Sequence, residues 1–260
     1  MLTALITNDD GVGSPGLVTL AEAAIRAGLD VLVAAPSWDS SGASASITGV
    51  QDGGRLLASV QTLPGTDIEA WAVDAAPAMI TVAALRGGFG PPPDLVLSGI
   101  NCGRNTGHSV LHSGTVGAAF TAIQLGTSSL AVSLDSAGPD HWETAGCVAE
   151  TAIRWLADAR PRAVINVNVP DVALADLRGL RQAPLARAGA VQTNITDTGR
   201  GYLHVTFDPP GRPAPGTDAA LLADGWAVAT AVSAVTVAKD VDVSGLESSW
   251  SVHPQADPAV

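Results

Sequence analysis

Two adjacent carboxylates, Asp9 and Asp10, follow the first apolar run of the chain and are its clearest candidates for chemistry. On a turn, both side chains can aim their oxygens at one point, whereas on a regular strand they would face opposite sides. Carboxylates this close resist joint ionisation unless a cation lies between them, and a hard ion such as Mg²⁺ or Mn²⁺ removes the repulsion. The same residues, NDDG, could instead form an Asx-type turn that caps the next helix. This segment alone leaves a metal site and a structural turn open.

A glycine-rich loop, SGINCGRNTG (98–107), follows a later predicted strand and offers a second group of polar side chains. Asn101 and Asn105 carry amide oxygens and donors, and the glycines allow the backbone to approach a ligand closely. Because ligands of open α/β sheets bind at the carboxyl ends of the strands, we expect this loop at the same edge as Asp9. The alternative interpretation is an irregular loop without a ligand.

A third segment, HSGTVGAA (112–119), has the composition of a helix start. Ser113 or Thr115 is suited to be the N-cap, and the N–H groups from Gly114 onward would then form an anion site. His112, beside this site, is suited to donate a hydrogen bond to a phosphate or to act as a general acid. An ordinary helix cap is the alternative interpretation.

The charge of the chain restricts its partners. The 260 residues carry a formal net charge of -12 and a single lysine, Lys239. Polynucleotides are held by clustered Lys and Arg, so a nucleic-acid partner is not expected. A small anionic ligand would need local positive potential from a bound cation or a helix N-terminus.

The sequence also carries signals about its cellular location. The first residues have no signal-peptide pattern, and no apolar run is long enough for a membrane span. Cys102 and Cys147 follow no metal spacing, so reduced thiols are the default. We therefore expect a cytoplasmic protein without a membrane partner.

Strands and helices alternate over residues 1–170, and this alternation predicts an α/β fold with a doubly wound, Rossmann-like, mostly parallel sheet and helices on both faces. We predict that residues 1–170 form a core that carries the metal site. Residues 171–260 would complete the fold with a β-hairpin around DTGRG and a polar tail from Asp240. Strands are predicted at 2–7, 29–36, 94–100, 129–135 and 163–170, and helices at 17–28, 75–88, 115–126 and 147–159.

Four segments, in this order along the chain, resemble the SurE family of survival-protein nucleotidases. ITNDDGVGSPGL matches the family's opening TNDDG, and VLVAAPSWDSSGASASIT matches its strand, AP and serine-rich run. SGINCGRNTG with HSGTVGAA matches SGxNxGxN followed by SGTV, and NVNVP (166–170) matches NxNxP. The resemblance implies a metal-dependent phosphatase that hydrolyses phosphate monoesters such as nucleoside 5'- or 3'-monophosphates.

The resemblance implies the metal and phosphate ligands of the site, while His112 is a candidate from its place beside the helix start. The predicted catalytic residues are Asp9, Asp10 and His112, with Asp9 the preferred group to handle a proton or to attack phosphorus. The implied partners are a small phosphate ester and further copies of the chain, in a homodimer or homotetramer with contacts in residues 171–260. A divalent cation, Mg²⁺ or Mn²⁺, would be held by Asp9, Asp10, Ser41 and Asn101, and phosphate would lie against Asn105, Ser113, Gly114 and Thr115.

Two other interpretations stay open. A phosphoacceptor receiver or an aspartyl-phosphate phosphatase also has acidic residues after early strands, but a receiver needs a lysine at a later strand end, and Lys239 lies outside the α/β repeat. A non-catalytic nucleotide-binding module would keep the fold without turnover. The segment DAAPAMI (74–80), which stands where the family has a GTPADC-like segment, leaves this second alternative open.

Overall fold

The first strand of the chain, β1 (Thr3–Thr7), lies inside a nine-stranded sheet and pairs in parallel with a strand on each side. The computed structural model describes residues 1–49, 51, 53–187, 192–197, 201, 203–208, 213–233, 235–236 and 242–244. The other strands are β2 (Asp30–Pro36), β3 (Ala58–Thr62), β4 (Glu69–Val73), β5 (Leu95–Cys102), β6 (Ser128–Asp135), β7 (Val164–Pro170), β8 (Leu180–Gln182), β9 (Gln192–Asp197), β10 (Leu203–Asp208) and β11 (Ala227–Val232). The α-helices are α1 (Pro15–Arg26), α2 (Pro77–Leu85), α3 (Gly114–Gln124), α4 (Trp142–Ala159) and α5 (Asp218–Ala223).

The main sheet has the order β3-β4-β2-β1-β5-β6-β7-β11-β8. Its pairs are parallel except β3 with β4 and β11 with β7. Helices α1 and α4 pack together on one face, and α2 and α3 pack together on the other. The prediction of a doubly wound, mostly parallel sheet with helices on both faces is confirmed.

The core is built from aliphatic side chains because successive residues of a strand point to opposite faces. In β1, Ala4 and Ile6 belong to the apolar cluster under α1 and α4, whereas Leu5 belongs to the cluster under α2. All three residues are fully buried. A strand buried on both faces reads as a continuous apolar run, as ALI does here.

The chain changes direction across the sheet between β1 and β5. From β1 it moves outward through β2 to β4, then returns through α2 to β5 on the other side of β1. This crossover is the topological switch point of the sheet, where the loops after neighbouring strands diverge and leave a crevice. The segments that follow β1 and β5 are NDDG and the glycine-rich loop, so the fold brings both predicted site segments to this crevice.

Two site-forming helices begin directly after a serine N-cap, each within two residues of its predicted start. Ser14 is the N-cap of α1, with Pro15 as the first helical residue, and its hydroxyl accepts the Leu17 N–H at 3.3 Å. Ser113 is the N-cap of α3 and accepts the Val116 N–H at 3.1 Å. Both caps satisfy amide groups that a helix start leaves without partners.

Beyond Pro170 the chain contributes to the main sheet through β8 and β11. The predicted hairpin is confirmed: β9 and β10 form a separate antiparallel pair, with Asp197 opposite Leu203. Most of the tail from Asp240 lies outside the described residues, and the division at residue 170 stays a prediction. No helix within the described ranges is long and apolar enough to cross a membrane.

Candidate metal and phosphate site

Asn8 holds the turn after β1, and this leaves the two aspartates free for other contacts. The alternative in which NDDG caps the next helix is wrong, because Ser14 is the N-cap of α1. The buried Asn8 amide donates to the Gly11 carbonyl oxygen at 3.0 Å and to the Ser14 hydroxyl at 2.6 Å. These bonds fix the turn between β1 and α1. The turn and the site are therefore served by different residues of the same segment.

Asp9 is buried against the start of α3. Its side chain is 3% exposed, and its Oδ1 accepts a hydrogen bond from the Thr115 hydroxyl at 2.5 Å. Burial raises the pKa of Asp9, although the hydrogen bond from the Thr115 hydroxyl lowers it. The carboxylate thus lies beside the positive end of a helix in a place where its charge is poorly solvated.

Gly114 allows this close contact. A Cβ atom at this position would lie 2.7 Å from Asp9 Oδ2 and 2.8 Å from Asp9 Cβ, distances at which real side chains do not pack. The first turn of α3 approaches Asp9 this closely only because residue 114 has no side chain. Gly114 and Thr115, both predicted phosphate residues, are therefore also the residues that touch Asp9.

Asp10 lies between the ends of β1 and β5. Its Oδ2 accepts the backbone N–H of Cys102 at 3.1 Å, which places the end of β5 beside the carboxylate. Burial raises the pKa of Asp10 to about 6, and the neighbouring charges of Asp9 and Asp39 act in the same direction. Among the residues that the structure describes, no basic side chain forms an ion pair with Asp9 or Asp10.

The serine-rich loop after β2 closes the crevice on its other side. Ser40 donates its backbone N–H to the Asp9 carbonyl oxygen at 2.7 Å and its hydroxyl to the same oxygen at 3.2 Å. Ser41, a predicted metal ligand, is exposed and donates its hydroxyl to Asp39 Oδ1 at 2.6 Å. The loop therefore brings Ser41 beside the site, with its hydroxyl held by Asp39.

Asp39 is a third carboxylate of the site, and it was not identified from the sequence. Its charge raises the pKa of both Asp9 and Asp10, while the Ser41 hydroxyl bond lowers its own pKa. The feature of the sequence that could have identified Asp39 is its position in the loop directly after β2, at the same sheet edge as Asp9. Asp39 is itself exposed, so it affects Asp9 and Asp10 through the electrostatic potential of its charge.

Asn101, the fourth predicted metal ligand, is oriented by its own loop. Its amide nitrogen donates to the carbonyl oxygens of Cys102 at 3.2 Å and Gly103 at 2.7 Å. The amide oxygen receives no hydrogen bond from any described residue, so it is free to accept a ligand. Asn101 directly precedes Cys102, whose amide contacts Asp10.

Asn105, a predicted phosphate residue, is held by the NVNVP segment of β7. Its backbone N–H donates to Asn168 Oδ1 at 2.7 Å, and its carbonyl oxygen accepts the Asn166 and Asn168 amides at 2.8 and 2.9 Å. Its side-chain amide donates to the Ser133 hydroxyl at 2.9 Å. NVNVP therefore orients the start of the loop that leads to α3.

The remaining predicted residues lie where that loop meets α3. The buried Ser113 uses its hydroxyl as the N-cap, so its side chain is engaged before any ligand arrives. His112 ends a 3₁₀ helix (Gly107–His112) and is exposed, and no described residue forms a hydrogen bond with its ring. The imidazole is thus accessible from solvent at the N-terminus of α3.

The donor set fits a hard divalent ion. No group of three or more His, Cys, Asp and Glu side chains within the described ranges is arranged to hold a metal. The predicted set differs from such a group, because it combines two carboxylates with the neutral oxygens of Ser41 and Asn101. Asp9 is buried and Asp10 partly buried, and no described residue gives either a basic partner or gives the Asn101 amide oxygen a donor. Such all-oxygen groups are what Mg²⁺ and Mn²⁺ prefer.

Comparisons with known proteins agree with the fold and with the motifs. The family model described as Survival protein SurE matches residues 4–192. A 5'/3'-nucleotidase SurE of Edwardsiella ictaluri (strain 93-146) is 40% identical over 210 residues, 80% of this chain and 79% of that protein. A 5'/3'-nucleotidase SurE of Citrobacter koseri (strain ATCC BAA-895 / CDC 4225-83 / SGSC4696) is 36% identical over 260 residues, 95% of this chain and 99% of that protein.

The solved structures include a similar protein. The crystal structure of the SurE protein from Aquifex aeolicus matches with a TM-score of 0.79 at 27% identity and covers 94% of this chain and 99% of that one. The match therefore extends beyond the motifs to the arrangement of nearly the whole chain. Together with the family model and the two relatives, it confirms the resemblance inferred from the sequence: the chain belongs to the SurE family.

Proposed function

We propose that this protein is a metal-dependent phosphatase that hydrolyses phosphate monoesters, with nucleoside 5'- and 3'-monophosphates as its substrates. The observation that carries the proposal is the contact between the Asp9 carboxylate and the first turn of α3, through Thr115 and Gly114. It joins a cation-binding group and an anion-binding helix start in one crevice. The relatives named 5'/3'-nucleotidase SurE support the substrate class.

The ligands of the cation would be Asp9, Asp10, Ser41 and Asn101. When bound there, a Mg²⁺ or Mn²⁺ ion would neutralise charge that develops on the phosphoryl oxygens. Ser41 would have to turn its hydroxyl from Asp39 toward the ion, a rotation about one exposed side-chain bond. The Asn101 amide oxygen accepts no hydrogen bond from the described part of the chain, so it needs no such rotation.

The chain's own groups would hold the phosphoryl oxygens. The backbone N–H groups at the start of α3, from Gly114 onward, form an anion site, and Asn105 lies where its loop begins. His112 is exposed at the same helix start and is suited to give a proton to the leaving group. Asp9, whose carboxylate accepts the Thr115 hydroxyl, would either accept a proton or attack phosphorus.

The test compares hydrolysis of p-nitrophenyl phosphate and of nucleoside 5'- and 3'-monophosphates, with Mg²⁺ or Mn²⁺ and after chelation. Activity is expected only with metal, and Asp9→Asn is expected to abolish it. Asp67→Asn, the same charge change at an exposed position between β3 and β4, is the matched control and should keep wild-type activity.

The competing functions give other results in the same assay. Metal-independent hydrolysis, or full activity of Asp9→Asn, would refute the proposed site. Absence of hydrolysis with every ester, combined with a nucleotide-induced rise in melting temperature, would favour the non-catalytic nucleotide-binding module. A stable phosphoenzyme in wild type that is lost in Asp9→Asn would favour the aspartyl-phosphate mechanism.

We also propose a cytoplasmic homodimer or homotetramer whose contacts lie in residues 171–260. The exposed edge strand β8 supports this part of the proposal, because unpaired strand edges are ready surfaces for association. Light scattering coupled to size exclusion would measure the mass. A monomer at all concentrations would contradict it.

A further inference from the structure

A buried carboxylate from the C-terminal part of the chain contacts the loop of the proposed phosphate site. Asp218 begins α5 and is 0% exposed. Its Oδ2 accepts the backbone N–H of Gly107 at 2.8 Å. Gly107 lies between Asn105 and Ser113, the two ends of the loop that would surround the phosphate.

The other oxygen of Asp218 is also fully used. Oδ1 accepts the backbone N–H groups of Ala186 at 2.8 Å and Ala219 at 2.7 Å. No basic side chain in the described part of the chain forms an ion pair with this carboxylate. A buried charge is costly unless it is hydrogen-bonded, so these three amides are what stabilises Asp218 in place.

The helix that carries Asp218 is fixed to the sheet. Leu222 of α5 is buried with Val228 of β11 and Ala183 in one apolar cluster. The Asp218 backbone N–H also donates to the Pro184 carbonyl oxygen at 2.9 Å. The Asp218 carboxylate is therefore held in place by the sheet, and it holds Gly107 at a defined distance from the sheet.

The remaining anchors hold the loop at its ends. Asn166 and Asn168 hold Asn105 at one end, and the Ser44 hydroxyl bonds the Leu111 carbonyl oxygen at 2.7 Å near the other. Between these anchors, the hydrogen bond from the Gly107 N–H to Asp218 is the one that joins the loop backbone to a described side chain outside the loop. Only a carboxylate can accept amides on both oxygens at this place.

We propose that Asp218 is a positioning residue of the phosphate site: it sets the distance between Asn105 and the N-terminus of α3 by holding Gly107. This inference rests on the proposed function. Asp218 touches no substrate in this arrangement, and its effect reaches the phosphate through the loop. Small displacements of positioning groups have large effects on catalysis, on the order of 100-fold for about 1 Å.

The test uses Asp218→Asn, in which the amide nitrogen must face either Gly107 or the Ala186 and Ala219 amides, whichever way the group turns. Asp224→Asn is the matched control, because Asp224 is exposed at the other end of the same helix and its side chain bonds no described residue. For Asp218→Asn, we expect the KM for p-nitrophenyl phosphate and the inhibition constant of inorganic phosphate to rise about tenfold or more. The metal concentration for half activity should stay within about twofold of wild type, since no proposed metal ligand lies between Asn105 and Ser113: Asn101 belongs to β5, and the other three lie on the loops after β1 and β2.

A purely structural role predicts a different pattern. Fewer correctly folded molecules would lower kcat for every substrate while KM and the phosphate inhibition constant stay constant. A folded Asp218→Asn protein with wild-type values of both constants would overturn the proposal. If this variant does not fold, Asp218→Ser, which keeps one acceptor oxygen without added volume, is measured with the same expectations.

A readout without turnover separates this inference from the proposed function. Hydrogen exchange should show a slow Gly107 amide in wild type and a faster one in Asp218→Asn, with no change in Asp224→Asn. If wild type hydrolyses no phosphate ester but binds inorganic phosphate in the presence of Mn²⁺, weaker binding by Asp218→Asn supports the inference while the proposed function fails. Fast exchange at Gly107 in wild type refutes the inference whatever the activity.

Discussion

Replacing Gly114 with alanine tests whether the contact between Asp9 and α3 determines activity. The added methyl group would lie 2.8 Å from Asp9 Cβ. Carbon atoms pack at about 3.5–4.0 Å, so the side chain or the helix must move by roughly 0.7 Å. The backbone that follows is the proposed anion site, and the displaced carboxylate is a proposed metal ligand.

The expected effects on stability and on activity differ in size. Overpacking costs about 1–3 kcal/mol, while alanine gains up to about 1 kcal/mol over glycine in a helix, so the net loss of stability is about 0–3 kcal/mol. A displacement of about 1 Å costs on the order of 100-fold in rate. For roughly 0.7 Å we expect a fall in kcat/KM of about 10- to 100-fold, equivalent to about 1.4–2.7 kcal/mol in the barrier.

The assay measures kcat/KM for p-nitrophenyl phosphate at saturating Mn²⁺, together with thermal unfolding by circular dichroism. Gly13→Ala is the matched control, because a methyl group there meets nothing within 4 Å. It should keep activity within about twofold of wild type. Wild-type activity in Gly114→Ala would mean that the Asp9 contact with α3 does not matter for the reaction, and the reasoning about the site would be refuted.

Three further outcomes are expected. Ser14→Ala removes the N-cap of α1 and the acceptor of the Asn8 amide, so urea unfolding should show a loss of about 1–2 kcal/mol; an unchanged midpoint would contradict the role of the cap. Millimolar Mn²⁺ should raise the melting temperature of wild type and leave that of Asp9→Asn unchanged. At a concentration of 100 times Kd, the bound metal adds about 2.7 kcal/mol to the free energy of unfolding. Equal shifts in both proteins would mean that the metal binds elsewhere. Burial raises the pKa of Asp171, but hydrogen bonds from the amides of His141 and Asp140 outweigh it and hold that pKa below its ordinary value of 3.8. Asp171 therefore stabilises the fold above that value and loses this contribution as pH falls through its folded-state pKa. Asp171→Asn should be less stable than wild type at pH 6, and urea unfolding at several pH values should show that this difference shrinks as the pH falls below 3.8.

Local chemistry made much of the fold and part of the site predictable. Ser113 was predicted as the cap of α3, with Thr115 as the alternative, because a hydroxyl before an apolar periodic run satisfies helix amides wherever it occurs. Ser14, the cap of α1, was not predicted. The alternation of strands and helices predicted a mostly parallel sheet. Ligands of such sheets bind at the carboxyl ends of the strands, so the loops after β1 and β5 were expected at one edge. The turn and the metal site were competing interpretations of NDDG, and the structure assigns the turn to Asn8 and leaves Asp9 and Asp10 in the crevice.

Contacts between distant segments were not predictable in the same way. The bond from Thr115 to Asp9 spans 106 residues and that from Gly107 to Asp218 spans 111. Neither follows from periodicity or composition, since both depend on how the strands are ordered and how far each helix approaches. Asp39 was missed for the same reason: its effect on Asp9 and Asp10 exists only once β2 lies beside β1.

The start of α4 shows a subtler limit of the sequence pattern. The apolar periodicity indicated a helix over 147–159, but the helix begins at Trp142. Gly146, in the added turn, lies where a Cβ would be 3.0 Å from a methyl group of Thr19 and 3.4 Å from the Arg26 guanidinium. A glycine inside a helix normally argues against it, yet here it permits the close packing of α4 on α1, and that packing outweighs propensity.

Electrostatics explains why the proposed cation and the start of α3 have to act together. Asp9, Asp10 and Asp39 raise the pKa values of their neighbours, so a phosphate dianion entering the crevice alone would meet several negative charges in a chain of net charge -12. A divalent ion offsets two of these charges, and the N-terminus of α3 adds about half a positive charge. Together they offset about two and a half of the three carboxylate charges, more than either contribution does alone. The topology brings the proposed cation and the helix start to one point. Helix α3 follows β5, and β5 lies beside β1 at the crossover. The aspartates after β1 and the start of α3 therefore share one edge of the sheet.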